Sequence, residues 1–290
     1  MVLIGGNAHA PSLEAYHEVA FPPGTMRISL REENVADPSS FVAKVREAHV
    51  RLLTRISRIS VSLPDSAGRV VLLDLETRFK GKEEGSDIIR WKLKKNLPFE
   101  MNEMHLDYQV IQERETGEVS TLVSLISRQT VNQYENLLAE AGLQPNRIDF
   151  TTFNICRYFQ GRFEQMENAV VIIWQAGTLS IMVFYNGLLD FYRSKDLVDS
   201  SGEANRLYRE IDSSIRFYKE KHPGYTLSDI FFVAPPQDAS LLRGVISEAS
   251  DLEPVLLDVG RVISRKGSHS TDAGTLQLLA ASIGAATRNL

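Results

Sequence analysis

Three apolar runs of strand length follow one another between Ala169 and Arg193 with almost no chain between them. They are Ala169 to Trp174, Leu179 to Tyr185 and Leu188 to Arg193, each too short for an ordinary helix. The last two are separated only by Asn186-Gly187, the pair that accepts the two left-handed conformations of a type I′ turn. Parallel strands cannot be joined so tightly, because their connection needs a dozen or more residues. The region is therefore expected to be an antiparallel meander. The helices and strands around it must then pack on that sheet.

The rest of the chain alternates between the two periodicities. Ser12 to Val19 reads as a strand, with Pro22-Pro23-Gly24 as a turn. Asp37 suits an N-cap, and Pro38 suits the first helical position, where its missing N–H costs nothing. The helix that follows sets Phe41, Val42, Val45, His49, Leu52 and Leu53 on one face. Strands at Arg58–Leu63 and Arg69–Leu75 flank the turn Pro64-Asp65-Ser66-Ala67-Gly68. Ser86 is placed to cap a helix with Ile89, Leu93 and Leu97 inward, ended by Pro98. A hairpin joins His105–Arg114 to Val119–Ile126 through Glu115-Thr116-Gly117-Glu118. Thr130 to Ala141 is a helix, with Gly142 where a left-handed C-terminal cap belongs.

Ile148-Asp149-Phe150 is a short strand and Asn154–Gln160 a helix. After the meander come a long amphipathic helix (Ser201–Lys221, with Leu207, Ile211, Ile215 and Tyr218), a strand (Asp229–Val233) and a helix (Leu241–Ala249). A strand (Val255–Asp258), an exposed loop (Arg261–His269) and a helix of small residues (Thr275–Thr287) complete the order, with no internal repeat. The class is α/β.

Composition narrows the chemistry. A chain of 290 residues with 43% apolar content buries a sizeable core, and a net charge of −5 argues against general nucleic-acid binding. The one cysteine, Cys156, lies among Phe153, Ile155 and Phe159 and reads as a buried structural thiol in a reducing compartment. No signal peptide is visible at Met1-Val2-Leu3-Ile4-Gly5-Gly6, and Ala169–Trp174 is far short of a membrane span. His105 and Asp107 share a strand face without a third partner, and His17, His222 and His269 are scattered. No catalytic pair, zinc cluster, P-loop or dinucleotide fingerprint results. The basic run Arg90, Lys92, Lys94 and Lys95 reads as a solvated helix face or, with Trp91 in the same helix, as a face for acidic lipid or an acidic partner tail. Trp91, Pro98, Phe99 and Tyr108 balance between core packing and a groove for an extended peptide.

Several stretches carry a more specific signal together than singly. Ser62-Leu63-Pro64-Asp65-Ser66, Asp87-Ile88-Ile89-Arg90-Trp91, Leu97-Pro98-Phe99 and Leu106-Asp107-Tyr108-Gln109-Val110 resemble the inserted subdomain of the PilM family of type IV pilus assembly. Phe21-Pro22-Pro23-Gly24, Asp37-Pro38 and Arg209 to Tyr218 are similar to its lead-in and its long helix. The resemblance runs from about Tyr16 to the end. It implies an actin-like fold of two ribonuclease-H-like halves, with a nucleotide between them. The expected division is a first lobe at 1–58 with its N-terminal hairpin truncated, an inserted α+β subdomain at 59–145 with Arg58–Leu63 and His105–Arg114 in one sheet, and a second lobe at 146–290 whose last helix returns to the first.

The family also implies ATP with Mg²⁺, and three loops depart from that expectation. The first phosphate loop belongs in an opening hairpin around Asp-x-Gly. Here the first carboxylate is Glu14, and Met1–Gly6 supplies only the second strand of such a hairpin. Either the loop is lost or the start lies downstream of it. The second loop reads Ile173-Trp174-Gln175-Ala176-Gly177-Thr178, and no Asp or Glu occurs from Asn168 through Leu189. Gln175, Gly177 and Thr178 are what remains of a cofactor loop. The adenosine loop reads Ala234-Pro235-Pro236-Gln237, where prolines replace the glycines that let a backbone approach a ligand.

The expectation is therefore a scaffold without a catalytic residue, metal or cofactor. By resemblance its partner is the cytoplasmic tail of an inner-membrane PilN-like protein. The tail is expected near Arg90, Trp91, Phe99 and Tyr108, in a groove between the inserted subdomain and its neighbour. The protein is expected in the cytoplasm, peripheral to the inner membrane through this and other platform proteins, with self-association open. A working actin-like ATPase and a related type II secretion scaffold are the alternatives.

Overall fold

The computed structural model describes residues 1–7, 10–95, 97, 100–163, 166–197, 203–265 and 271–290. The chain opens with strands β1 (Val2–Asn7) and β2 (Ala10–Tyr16), then helix α1 (Pro38–Arg51), β3 (Arg58–Leu63) and β4 (Gly68–Leu75). Next come α2 (Lys82–Lys94), β5 (Met104–Glu113), β6 (Val119–Ser127), α3 (Arg128–Glu140), β7 (Gln144–Phe150), α4 (Thr151–Tyr158) and α5 (Gln160–Phe163). The meander is β8 (Asn168–Gln175), β9 (Thr178–Tyr185) and β10 (Leu188–Asp196). It is followed by α6 (Glu203–Lys221), β11 (Asp229–Val233), α7 (Ala239–Ser250), β12 (Val255–Leu256), β13 (Ser264–Arg265), α8 (Ala273–Leu278) and α9 (Ala280–Thr287).

Two compact units result, one from residues 1–19, 47–65 and 145–290, the other from 20–46 and 66–144. In the first, the meander is extended by parallel strands into the sheet β10-β9-β8-β11-β12. Its connections through α6 and α7 are long enough for parallel crossovers. The sheet is buried on both faces. Ala169, Val171 and Ile173 of β8 join Ile155, Phe159 and Ile283 on one side. Val170, Ile172 and Trp174 join Leu207, Ile211, Ile215 and Leu242 on the other. Burial on both faces is why β8 reads as a continuous aliphatic run rather than an alternating one. Asn186 and Gly187 turn with φ of 51° and 74°, the left-handed pair that a type I′ turn requires.

The same unit holds the sheet β1-β2-β13, in which β1 runs antiparallel to β2 and β13 parallel to it. Helix α9 packs on β1, β3 and α4. Its Gly284 comes so close to α4 that a Cβ there would collide with the Asn154 carbonyl oxygen.

In the second unit, β4-β6-β5 form an antiparallel sheet. Leu75, Leu106, Val119, Val123 and Leu125 from that sheet pack with Ile89 and Leu93 of α2. Asp37 caps α1 by accepting from Ser40 N at 3.1 Å, and Pro38 is its first residue. Gly142, at φ 88°, ends α3 with Leu143 N donating to Leu138 O at 2.9 Å, the six-residue closure of a Schellman motif.

Several expectations are corrected. Arg58–Leu63 was expected to share a sheet with His105–Arg114; instead β3 pairs with β7. Local pattern defines a strand but not its distant partner. Ser86 does not cap α2, which starts at Lys82; its hydroxyl donates back to the Lys82 carbonyl from within the helix. The small-residue helix is two helices, α8 and α9, and the loop after Arg261 contains β13. Pro98 and Phe99 lie outside the described residues, as does the end of that loop.

Candidate functional site

The turn between β8 and β9 is a second two-residue turn, with Ala176 at φ 49° and Gly177 at φ 79°. Alanine in the left-handed region is strained, so the surrounding bonds must hold it there. Gly177 O accepts from Leu197 N at 2.8 Å, and the Thr178 hydroxyl donates to Asp196 Oδ1 at 2.6 Å. Gln175 pairs with Thr178 across the ladder. Trp174 Nε1 donates to Asp238 Oδ2 at 3.2 Å. Although the loop's own segment carries no carboxylate, the end of β10 supplies Asp196 beside it. Sequence reasoning missed this residue.

A second missed residue is Asp65, just beyond β3. Both its oxygens accept from Thr152 N, at 3.3 and 3.2 Å, at the start of α4. The Thr152 hydroxyl continues to Ser180 Oγ at 2.8 Å, and that hydroxyl to Ser194 Oγ at 3.1 Å. Burial is the main cause that pushes the Asp65 carboxyl up to about 6, with the charge of Asp196 adding to it. Cys156 faces Met182 Sδ at 3.2 Å, and burial pushes its thiol well above the usual range, as befits a structural thiol.

The segment after β11 closes on itself, with Asp238 N donating to Pro235 O at 3.0 Å and Leu242 N to Asp238 O at 2.9 Å. Pro236 packs against the start of α8, where a Cβ on Gly274 would meet its Cγ at 3.3 Å.

In the second unit the expected partner-binding residues separate. Arg90 points inward and donates from Nη1 to Met101 O at 2.7 Å. The Tyr108 hydroxyl donates to Lys82 O at 3.3 Å, and its ring meets Phe79 edge-on at 5.6 Å. Trp91 is 66% exposed, and Lys95 Nζ lies over its indole at 4.6 Å. Phe99 is outside the described residues. Of the aromatic set, therefore, Trp91 faces solvent while Tyr108 anchors the start of α2 to the sheet.

The remaining polar candidates are structural. Lys82 pairs with Asp107 at 2.8 Å, and His49 Nε2 lies 2.8 Å from Ile56 O. Among the described residues no group of three His, Cys, Asp or Glu side chains could hold a metal, and no helix is long and apolar enough to cross a membrane.

Known proteins supply the remaining comparison. The structure resembles the PilM-PilN type IV pilus biogenesis complex with a TM-score of 0.82 at 17% identity, covering 99% of this chain and 94% of that one. The cytoplasmic domain of EpsL, an inner-membrane component of the type II secretion system of Vibrio cholerae, matches at TM-score 0.48 and 12% identity, over 86% and 82% of the two chains. A Bacteroides thetaiotaomicron protein with an actin-like ATPase fold and unknown function matches at 0.48 and 12%, over 91% of each. No curated protein sequence matches. The family model described as type IV pilus assembly protein PilM matches residues 1–195. The fold is α/β of the actin-like class, and the chain belongs to the type IV pilus assembly protein PilM family.

Proposed function

We propose that this protein is a cytoplasmic scaffold of type IV pilus assembly. It holds the cytoplasmic tail of a PilN-like inner-membrane protein, meets other platform proteins at the membrane, and does not hydrolyse ATP. In this reading the lobes run over 1–58 and 146–290, with the insertion between them. The observation that carries it is the state of the loops within a family fold that is otherwise kept. Pro235 and Pro236 offer no amide to a nucleotide, and Pro236 fills the space at Gly274. Trp174 or Ile173 stands where the resemblance implies a carboxylate, and the Trp174 indole is bound to Asp238. These residues do not fit a Mg·nucleotide held through glycine-rich turns. The ATPase alternative is favoured by one observation, the carboxylate of Asp196 beside Thr178. That carboxylate is already engaged by the hydroxyl.

A tail can be held by shape and apolar contact alone, and exposed tryptophans commonly carry such binding. The exposure of Trp91 supports that role, with Phe99 nearby in sequence and Arg90 and Tyr108 holding α2 beneath it. Trp91→Ala is expected to weaken capture of a synthetic PilN-like tail peptide about 30-fold, the equivalent of about 2 kcal/mol. Circular dichroism should remain unchanged, because the indole is 66% exposed. Equal affinity in a folded Trp91→Ala variant contradicts the assignment of this face.

A further inference from the structure

Within the second unit, a cavity of about 610 Å³ opens between α3, the turn at Met101–Glu103 and the segment before α1. That volume is in the range of binding sites. Its wall is unusual in composition. Gln129, Asn132, Gln133 and Asn136 recur along α3 at the spacing of one helix face, and Asn102 faces the same space. The charges around it balance, with Arg31 and Arg128 against Glu33 and Glu103. A strongly charged ligand has nothing here to select it.

One member of the row already shows what this face can do. Gln133 Oε1 accepts from the main-chain N–H of Asn34 at 2.8 Å and of Val35 at 2.9 Å. Its Nε2 donates to the Val35 carbonyl at 2.9 Å. A single carboxamide thus reads donors and an acceptor of a neighbouring main chain, because it carries both functions on one planar group. Gln129, Asn132 and Asn136 are exposed, and their side chains make no hydrogen bond among the described residues. The base of the cavity is fixed, since Arg128 Nε donates to Asn102 O at 3.2 Å and Arg90 Nη1 holds Met101 O from α2.

We infer that the carboxamide row of α3 is a binding site for an extended, uncharged stretch of polypeptide, read through its main chain. From residue 129 to 136 the helix rises about 10 Å, which matches roughly three residues of extended chain. The inference rests on the reading that the protein captures a membrane partner's tail, and it adds main-chain recognition by α3 to the side-chain contact assigned to Trp91. The amides at α3 select extended backbone, since they pair with groups that every residue carries, and the balanced charges of the wall favour an uncharged stretch.

The test uses the full chain and a synthetic peptide of the N-terminal cytoplasmic segment of the PilN-like protein, titrated by calorimetry. The double variant Asn132→Ala, Asn136→Ala alters exposed positions with a better helix former, so circular dichroism should be unchanged. The expected result is a Kd at least tenfold weaker, and a similar loss when the parent protein meets a peptide N-methylated at its backbone amides. Binding by the parent with equal binding by the double variant overturns the α3 site and leaves tail capture standing. Absence of binding by the parent overturns tail capture and the α3 site with it.

Discussion

At the scale of single residues, the buried carboxyl of Asp65 makes the sharpest demand. Its value in the unfolded chain is 3.8, and the fold raises it to about 6. The folded state therefore binds the proton more tightly. The contribution of this group to stability is most favourable below the unfolded value, falls as pH rises from about 4 to about 6, and stays lower above that window. Asp65→Asn keeps an acceptor for Thr152 N and removes the charge. It is expected to stabilise the protein by about 1–3 kcal/mol at pH 8 and by almost nothing at pH 4. Urea unfolding of parent and variant at both pH values checks this, and parallel pH profiles contradict it. Asp65 was legible as a turn residue but not as a buried acid, because its surroundings come from packing with distant segments, among them Thr152, whose N–H it accepts from 87 residues along the chain. Asp196 was not legible as the neighbour of Thr178. Counting back along the ladder from Asn186-Gly187 puts Lys195 opposite Thr178, and the bulge between Leu189 and Phe191 moves Asp196 there instead. A bulge of one residue exchanges the face that each side chain takes.

Among the elements, those set by local chemistry were legible. The meander, the Asp37-Pro38 start of α1 and the Gly142 end of α3 each follow from a turn or cap whose residues lie together. The pairing of β3 with β7, the two-residue β13 and the break between α8 and α9 were not, since each depends on a partner distant in sequence. The contact of α9 with α4 belongs to this second kind, and it gives a prediction. Gly284 has no room for a methyl group, because the obstacle is the Asn154 backbone rather than a flexible side chain. Gly284→Ala gains helix propensity but forces the helices apart, and the overpacking is expected to dominate at about 1–3 kcal/mol. A lower urea midpoint with unchanged slope is the expected outcome. A midpoint at or above the parent's contradicts so close a packing. In the candidate site, the sequence grouped Trp91 with Arg90 and Tyr108 and could not separate them. Arg90 and Trp91 are neighbours on α2 and Tyr108 lies on β5, and only the packing of α2 on that sheet decides which of them turns inward.

For the whole molecule, the question is whether an actin-like fold with altered loops works without the nucleotide that the family fold implies. Nothing in tail binding through Trp91 or the α3 amides requires a phosphate or a metal, since both use side chains of the second unit. Purified protein is accordingly expected to release no ADP from Mg·ATP above the level of a heat-inactivated sample. The most direct measurement of the central claim is a calorimetric titration of the PilN-like tail peptide into nucleotide-free protein, repeated in excess Mg·ATP. The account predicts binding in both cases with the same affinity. Binding that appears only with Mg·ATP, or that tightens tenfold or more when it is added, contradicts it, because the tail would then be coupled to a nucleotide site.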